Sequence, residues 1–330
     1  MTTAANATEI VYRSYRPGDE EAIVAFLQEC GYRSDLSSWR WINQACPHGP
    51  MLIELAWDGV RVVGHYAVLP KRLRVDGADV QAGQAMQAVV HPQFRGLAVL
   101  QGLLQRVVQS CRTAGMPFFY GFPNGQIRLL YHKLFQWTLL DDLVALERPV
   151  GRAQEQEAAG DFTVACRERV EFDERYRALA CPDALSGLVH VIRDPAFLNW
   201  RYGCHPSVRY QLLEACTADG ELAGYAVLKR YEKGGTVYGH LIDIGLRDGR
   251  AAACGPLVAA ALSLFQRQQV EIASCWALPQ TSYFDTLRAM GFQATGFTTH
   301  MGYRLLDPRA ADVSLNLAQW QLVMGDSDAF

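Results

Sequence analysis

The sequence predicts an α/β (α+β) chain of two tandem domains, each a mixed, mostly antiparallel sheet flanked by helices. Three observations carry that prediction. Residues 51 to 90 read as strands joined by the turn signals Asp58-Gly59 and Asp76-Gly77, which makes an antiparallel meander. The strand at residues 84 to 90 then passes through a loop into a segment whose Val99, Leu100, Leu103, Leu104, Val107, Val108 and Cys111 recur at three- and four-residue steps, one face of an amphipathic helix. Finally, the chain repeats itself: Asn199-Trp200-Arg201-Tyr202 echoes Ser38-Trp39-Arg40-Trp41, and Asp219-Gly220 through Leu228 echoes Asp58-Gly59 through Leu69.

Taken in order, Ile10 to Tyr15 alternates as an opening strand, and Arg16-Pro17-Gly18-Asp19 leads into a helix with Ile23, Phe26 and Leu27 on one side. Met51 to Trp57 and Val60 to Leu69 are the next strands, followed by Leu73 to Val75. After the amphipathic helix, Gly115-Met116-Pro117 ends the turn, Phe118 to Phe122 is a short buried strand, and a helix runs from about Gln126 to Phe135. Residues 149 to 161 are small, polar and unpatterned, the composition of a linker, so the domains are placed at 1–148 and 162–330. In the second half, Ala251 to Phe265 reads as a buried helix and Val270 to Trp276 as a strand. The tail from Trp320 reads as a strand and then a polar cluster.

Composition excludes several classes. The 330 residues carry 31 basic and 34 acidic side chains, so no global field attracts nucleic acid or an anionic membrane. Nine cysteines, never spaced Cys-x-x-Cys, argue against a zinc cluster or a disulfide framework, and no metal is expected. The amino terminus lacks the basic region and apolar core of a signal peptide, which makes the cytoplasm the simplest location.

The stretch His91-Pro92-Gln93-Phe94-Arg95-Gly96-Leu97-Ala98-Val99 joins strand to helix. Its small residues Gly96 and Ala98 let backbone N–H groups approach a ligand, and the helix start adds unpaired donors and a partial positive charge, so an anion belongs there. In this context, Gln93-x-x-Gly96-x-Ala98 resembles the acyl-CoA signature of the Gcn5-related N-acetyltransferase (GNAT) superfamily. Tyr131-His132-Lys133-Leu134-Phe135 resembles that family's Tyr-x-x-Gly-Phe element, with Leu134 in place of Gly. The paired Trp-Arg-aromatic elements, Phe122-Pro123-Asn124 and the closing Gly-Asp-Ser-Asp are similar to tandem-domain proteins of bacterial surface polysaccharides, some of which acylate nucleotide-linked amino sugars.

The resemblance implies an acetyl-CoA or other acyl-CoA co-substrate whose pyrophosphate is held by the loop amides of Gln93, Phe94, Arg95, Gly96, Leu97, Ala98 and Val99. It implies that the strands before and after the helix splay apart, that a backbone N–H at Val89 or Val90 polarises the thioester carbonyl, and that Tyr131 protonates the departing thiolate. Asn124 could contact pantetheine or cap the following helix. No carboxylate base is visible, since Met86 and Gln87 stand where many members carry Glu; His65 and His91 remain, with solvent relay as the alternative. The second copy lacks the Gly and Ala spacing at residues 242 to 250, so one CoA site per chain is expected. The acceptor expected is a small-molecule amine, first a nucleotide-linked amino sugar, alternatively an aminoglycoside, peptide or cysteinyl sugar. A noncatalytic acyl-CoA-binding module is the reading from another class. The second copy is expected to wall the acceptor pocket, stabilise the first, or form a homodimer.

Overall fold

A computed structural model of the chain describes residues 9–151, 161–307 and 315–327. Most of the expected linker, residues 152–160, lies outside them, as do the first eight and the last three residues.

The first half runs β1 (Val11–Ser14), α1 (Glu20–Glu29), α2 (Leu36–Gln44), β2 (Leu52–Trp57), β3 (Val62–Val75), β4 (Ala78–Val90), α3 (Leu97–Thr113), β5 (Phe118–Gly121), α4 (Arg128–Phe135), β6 (Thr138–Leu139) and β7 (Leu143–Pro149). The second half runs β8 (Phe162–Cys166), β9 (His190–Val191), α5 (Pro195–Leu198), β10 (Gln211–Thr217), β11 (Leu222–Lys233), β12 (Thr236–Leu246), α6 (Cys254–Arg267), β13 (Ile272–Trp276), α7 (Phe284–Ala289), β14 (Gln293–Thr299) and β15 (Gly302–Leu305). Each expected strand-turn-strand unit is present, and the expected helices at 126–135 and 251–265 start two and three residues later than the sequence suggested.

β3 is one strand through Pro70, where the sequence suggested a break. Proline is tolerated because β2 stops pairing at Leu52–Val68, which leaves no neighbour on that side to require its missing N–H. The turn at Asp76-Gly77 has positive φ at both residues, 48° and 77°, matching the right-handed twist of the strands it joins.

The strands form two sheets, ordered β1-β2-β3-β4-β5-β15-β6 and β14-β7-β13-β12-β11-β10-β8. Both are antiparallel except where β4 meets β5 and where β12 meets β13. Sheet membership does not follow chain order: β7, from the first half, pairs with β13 and β14, whereas β15, from the end of the chain, pairs with β5 and β6.

Helix α3 covers the first sheet and α6 the second, each with its own apolar layer. α3 is held by more than apolar contact. Buried Glu54 on β2 accepts hydrogen bonds from Arg106 Nε at 2.7 Å, Ser110 Oγ at 2.6 Å and Ser14 Oγ at 2.8 Å. Gly64 lets the helix lie close, since a Cβ there would stand 2.9 Å from Leu103 Cδ1. The other faces of both sheets share a third apolar layer. In it, Trp41 and Trp200 stack at 5.0 Å, and each donates its indole N–H to the other's main-chain carbonyl, at 2.8 and 2.9 Å. The repeated Trp-Arg-aromatic elements therefore meet face to face.

The strand expected at the carboxyl end is corrected, and the polar cluster after it is buried as far as Ser327. Residues 320 to 327 form irregular chain and a short 3₁₀ turn, and are almost wholly buried. The cause is electrostatic. Arg193 is buried, donates to both oxygens of Asp326 at 2.6 Å and to Asp243 at 3.1 Å, and needs those carboxylates inside with it.

Burial also pulls His48 down to about 3, and His65, His190 and His240 down to about 4. These groups stay neutral in the folded chain while the unfolded chain takes up protons below its ordinary value of about 6.5. Stability is therefore unaffected by them above that pH and falls as pH drops toward 4, by about 1.4 kcal/mol per pH unit per histidine. Urea unfolding at pH 7, 6 and 5 should show a steepening loss; equal midpoints would contradict it.

Candidate active site

The site grows from one irregularity in β4. Along most of its length β4 pairs with β3 in continuous register, but the register shifts between His65–Val89 and Ala67–Met86, inserting one extra residue in β4. At this bulge Gln87 adopts φ +48°, a left-handed conformation that is uncommon outside glycine. His65 fixes it: its Nδ1 lies 2.9 Å from the Gln87 carbonyl and so carries the donated proton.

On its other side, β4 pairs with β5 only from Gly83–Phe119 to Ala85–Gly121. Beyond that point the two strands diverge, as the resemblance implied. The gap encloses about 190 Å³, with Met86, Gln87 and Ala88 on one wall and Gly121, Phe122, Pro123 and Asn124 on the other. Tyr66, Tyr131 and Trp137 close its floor.

The main-chain donors of β4 beyond the bulge alternate in a defined way. His91 donates its N–H to Val63 O at 2.9 Å, and the register continues through Val90–Gly64 and Val89–His65. Hydrogen-bonded and non-bonded pairs alternate in an antiparallel ladder, so Val89 bonds to β3 while the Val90 N–H is turned away from it, toward the open side.

At the end of β4, residues 92–94 make a 3₁₀ turn in which the His91 ring Nδ1 accepts from the Gln93 N–H at 3.3 Å. Gln93 Oε1 accepts from Arg61 at 3.4 Å, and the Arg61 guanidinium lies 5.5 Å above the Phe94 ring. Helix α3 begins after Gly96 with no side-chain cap, and its first two residues, Leu97 and Ala98, are exposed. Its first N–H groups thus point at open space with the positive end of the helix dipole behind them. A Cβ on Gly96 would meet nothing within 4 Å, so the space above the loop is free. This fits a pyrophosphate held by main-chain amides.

Tyr131 lies on α4, 4% exposed, stacked on Trp137 at 4.8 Å. Burial pushes its phenol up to about 12, partly offset by its hydrogen bond with Tyr66, so it is a proton donor throughout the neutral range. Asn124 borders the gap while its Oδ1 accepts from the N–H groups of Gln126 and Ile127, so it caps the following turn from a position on the wall.

The two histidines sit elsewhere. His65 is fully buried behind the bulge, and its Nε2 has no partner among the described residues. His91 is part of the loop, 3.8 Å from Glu29. Neither lines the gap. Tyr32, Tyr66 and Trp137, which do, carry no motif that singles them out in the sequence.

The matching place in the second sheet is different. Between the end of β12 and Tyr283, a hollow of about 60 Å³ is lined by Leu179, Ala180, His190 and Arg193 from the segment before α5. Gln321 Nε2 reaches Tyr283 Oη across it at 3.3 Å. The chain itself fills the second cleft.

This arrangement can be set beside known proteins. Residues 11–138 match the acetyltransferase (GNAT) domain. The whole chain is similar in fold to a GCN5-related N-acetyltransferase from Anabaena variabilis, at 14% identity and a TM-score of 0.66, covering 91% of this chain and 73% of that one. It is similar to a tandem GNAT protein from the clavulanic acid biosynthesis pathway, at 15% identity and 0.61, covering 91% and 99%. It is also similar to Saccharomyces cerevisiae N-myristoyltransferase with bound myristoyl-CoA, at 10% identity and 0.60, covering 92% and 84%. No curated protein matches by sequence. The fold is thus the tandem GNAT fold, and the cradle, bulge and gap all lie in its GNAT domain. Among the described residues, no group of side chains could hold a metal ion and no helix is long and apolar enough to cross a membrane.

Proposed function

We propose that the chain is an acyl-CoA-dependent N-acyltransferase whose GNAT domain transfers an acetyl or other short acyl group to a primary amine. The observation that carries this is the combination of an uncapped helix start after β4, a β4 main-chain N–H turned toward the open side where β4 and β5 part, and a buried, protonated tyrosine lining the gap between them. Acyl-CoA supplies the activated acyl group as a thioester.

The amides from Gln93 to Val99 and the positive end of α3 would hold its pyrophosphate. The Val90 N–H, held by the rest of β4, would donate to the carbonyl oxygen as negative charge grows there. The amine nitrogen forms the new C–N bond as the C–S bond breaks, Tyr131 Oη delivers its proton to the sulfur, and the N–H proton shed as the amide forms passes to solvent, from which the tyrosinate is reprotonated. The ammonium proton leaves beforehand to solvent, since neither His65 nor His91 borders the gap. His65 instead supports the bulge that aims β4.

The acceptor we favour is a nucleotide-linked amino sugar, supported by the likeness to polysaccharide-associated proteins in the paired Trp-Arg-aromatic elements and by the groove described below. A thiol-release assay over a panel of amines tests the reading. Tyr131→Phe keeps the stack on Trp137 and removes only the proton donor. Turnover should fall by about 10²- to 10⁴-fold with CoA affinity unchanged; turnover equal to wild type would remove Tyr131 from the mechanism.

A further inference from the structure

A second cleft lies beside the first. Phe122, on the wall of the acyl gap, is in ring contact with Trp276 of β13 at 5.7 Å, and Trp276 begins a groove of about 160 Å³ across the second sheet. The strand registers order its contents. Trp276 stands opposite Ala145 and Ser274 opposite Glu147, while Tyr238 pairs with Ile272 on one side and Tyr231 on the other. Four residues of β13 therefore separate the acyl-gap end from the outer end, about 13 Å at the rise of a strand.

The two ends differ in chemistry. In the middle, His240 Nδ1 lies 2.6 Å from Ser274 Oγ, beside Glu147. The outer end is aromatic and cationic: Lys233 Nζ lies 6.0 Å above the Phe297 ring. Phe297 is 65% exposed and Tyr231 42%, a patch of ring surface that a folded chain keeps open only for a ligand or partner. The one ammonium of the lining, Lys233, stands at the outer end and the one carboxylate, Glu147, stands nearer the acyl gap, which favours an occupant anionic at its outer end and carrying its amine at the inner one.

We propose that this groove is the acceptor site and that it takes an amino sugar carried on a nucleoside diphosphate. The base lies against Tyr231, Tyr238 and Phe297, the diphosphate meets Lys233, and the sugar amine points past Trp276 into the acyl gap. Aromatic faces suit a base because every base offers a flat π-surface, and lysine ammonium groups suit phosphate oxygens. The proposal rests on the N-acyltransferase reading and gives the second domain its task.

The test uses the full chain saturated with CoA, so that the cradle is filled, and titrates uridine diphosphate by calorimetry. One saturable site is expected, weakened at least about tenfold by Lys233→Glu and by Tyr238→Ala, with CoA affinity unchanged in both. CoA binding without uridine diphosphate binding, or uridine diphosphate binding indifferent to both substitutions, would overturn the groove while leaving the acyl-CoA site standing. Preference for a polycationic aminoglycoside over uridine diphosphate would overturn it too. Uridine diphosphate binding that depends on Lys233 in a chain unable to bind CoA would keep the groove and sink the acyl-CoA reading instead.

Discussion

A chain carrying Gly96→Glu is expected to lose CoA binding by at least about 10²-fold, while melting cooperatively at the temperature of the parent. The reason lies in two properties of one position. Gly96 is extended, at φ 163° and ψ 167°, a conformation any residue adopts, and its Cβ direction is empty to 4 Å. The fold should therefore not register the substitution. The same direction opens over the uncapped start of α3, so the new carboxylate would neutralise that positive end and stand where a pyrophosphate must sit. Gly96→Ala should be far milder, since it adds bulk without charge. Calorimetry on the parent should give one CoA per chain. Unchanged affinity in the glutamate variant, or two sites in the parent, would refute the cradle as the single cofactor site.

Arg193→Ala should be the most damaging single change to stability. Its guanidinium serves Asp243, Asp326, the Val191 carbonyl and Gln321 at once, within 3.2 Å of each, and both charged partners are buried. Burial already holds the Asp243 carboxyl above its ordinary value despite that cation. Removing the arginine leaves two carboxylates uncompensated in the interior. The free energy of unfolding in urea should fall by about 3–5 kcal/mol. A loss under about 1 kcal/mol, the range of an exposed pair, would mean that water reaches the site.

The fold was legible in the sequence where hydrophobic period and turn chemistry spoke together. Asp58-Gly59 and Asp76-Gly77 marked hairpins because only certain residues tolerate the left-handed turn, and α3 declared itself through seven apolar positions that all prove buried. The turn from β4 into α3 was legible for the same reason, since Gly96 and Ala98 mark the passage from strand to helix. The bulge at Gln87 was not. Glutamine carries no preference for positive φ, and what holds it there is His65, 22 residues earlier, through a bond that follows from register alone. The buried tail was hidden likewise. Gly325-Asp326-Ser327 has the composition of a solvated end, and its burial depends on Arg193, 133 residues away.

The exchange of β7 and β15 between the sheets makes this chain an intramolecular domain swap. Each half lends a strand to the other, so neither sheet is complete when the chain is cut at its middle. β15 pairs with β5 from Gly302–Gly121 to Leu305–Phe118, along the strand that walls the acyl gap. A fragment ending near residue 150 would expose that edge of β5 and leave β7 without partners, inviting aggregation in place of activity. The second half is needed even where its own cleft is filled, because the strand that walls the gap is paired on its outer edge by the far end of the polypeptide.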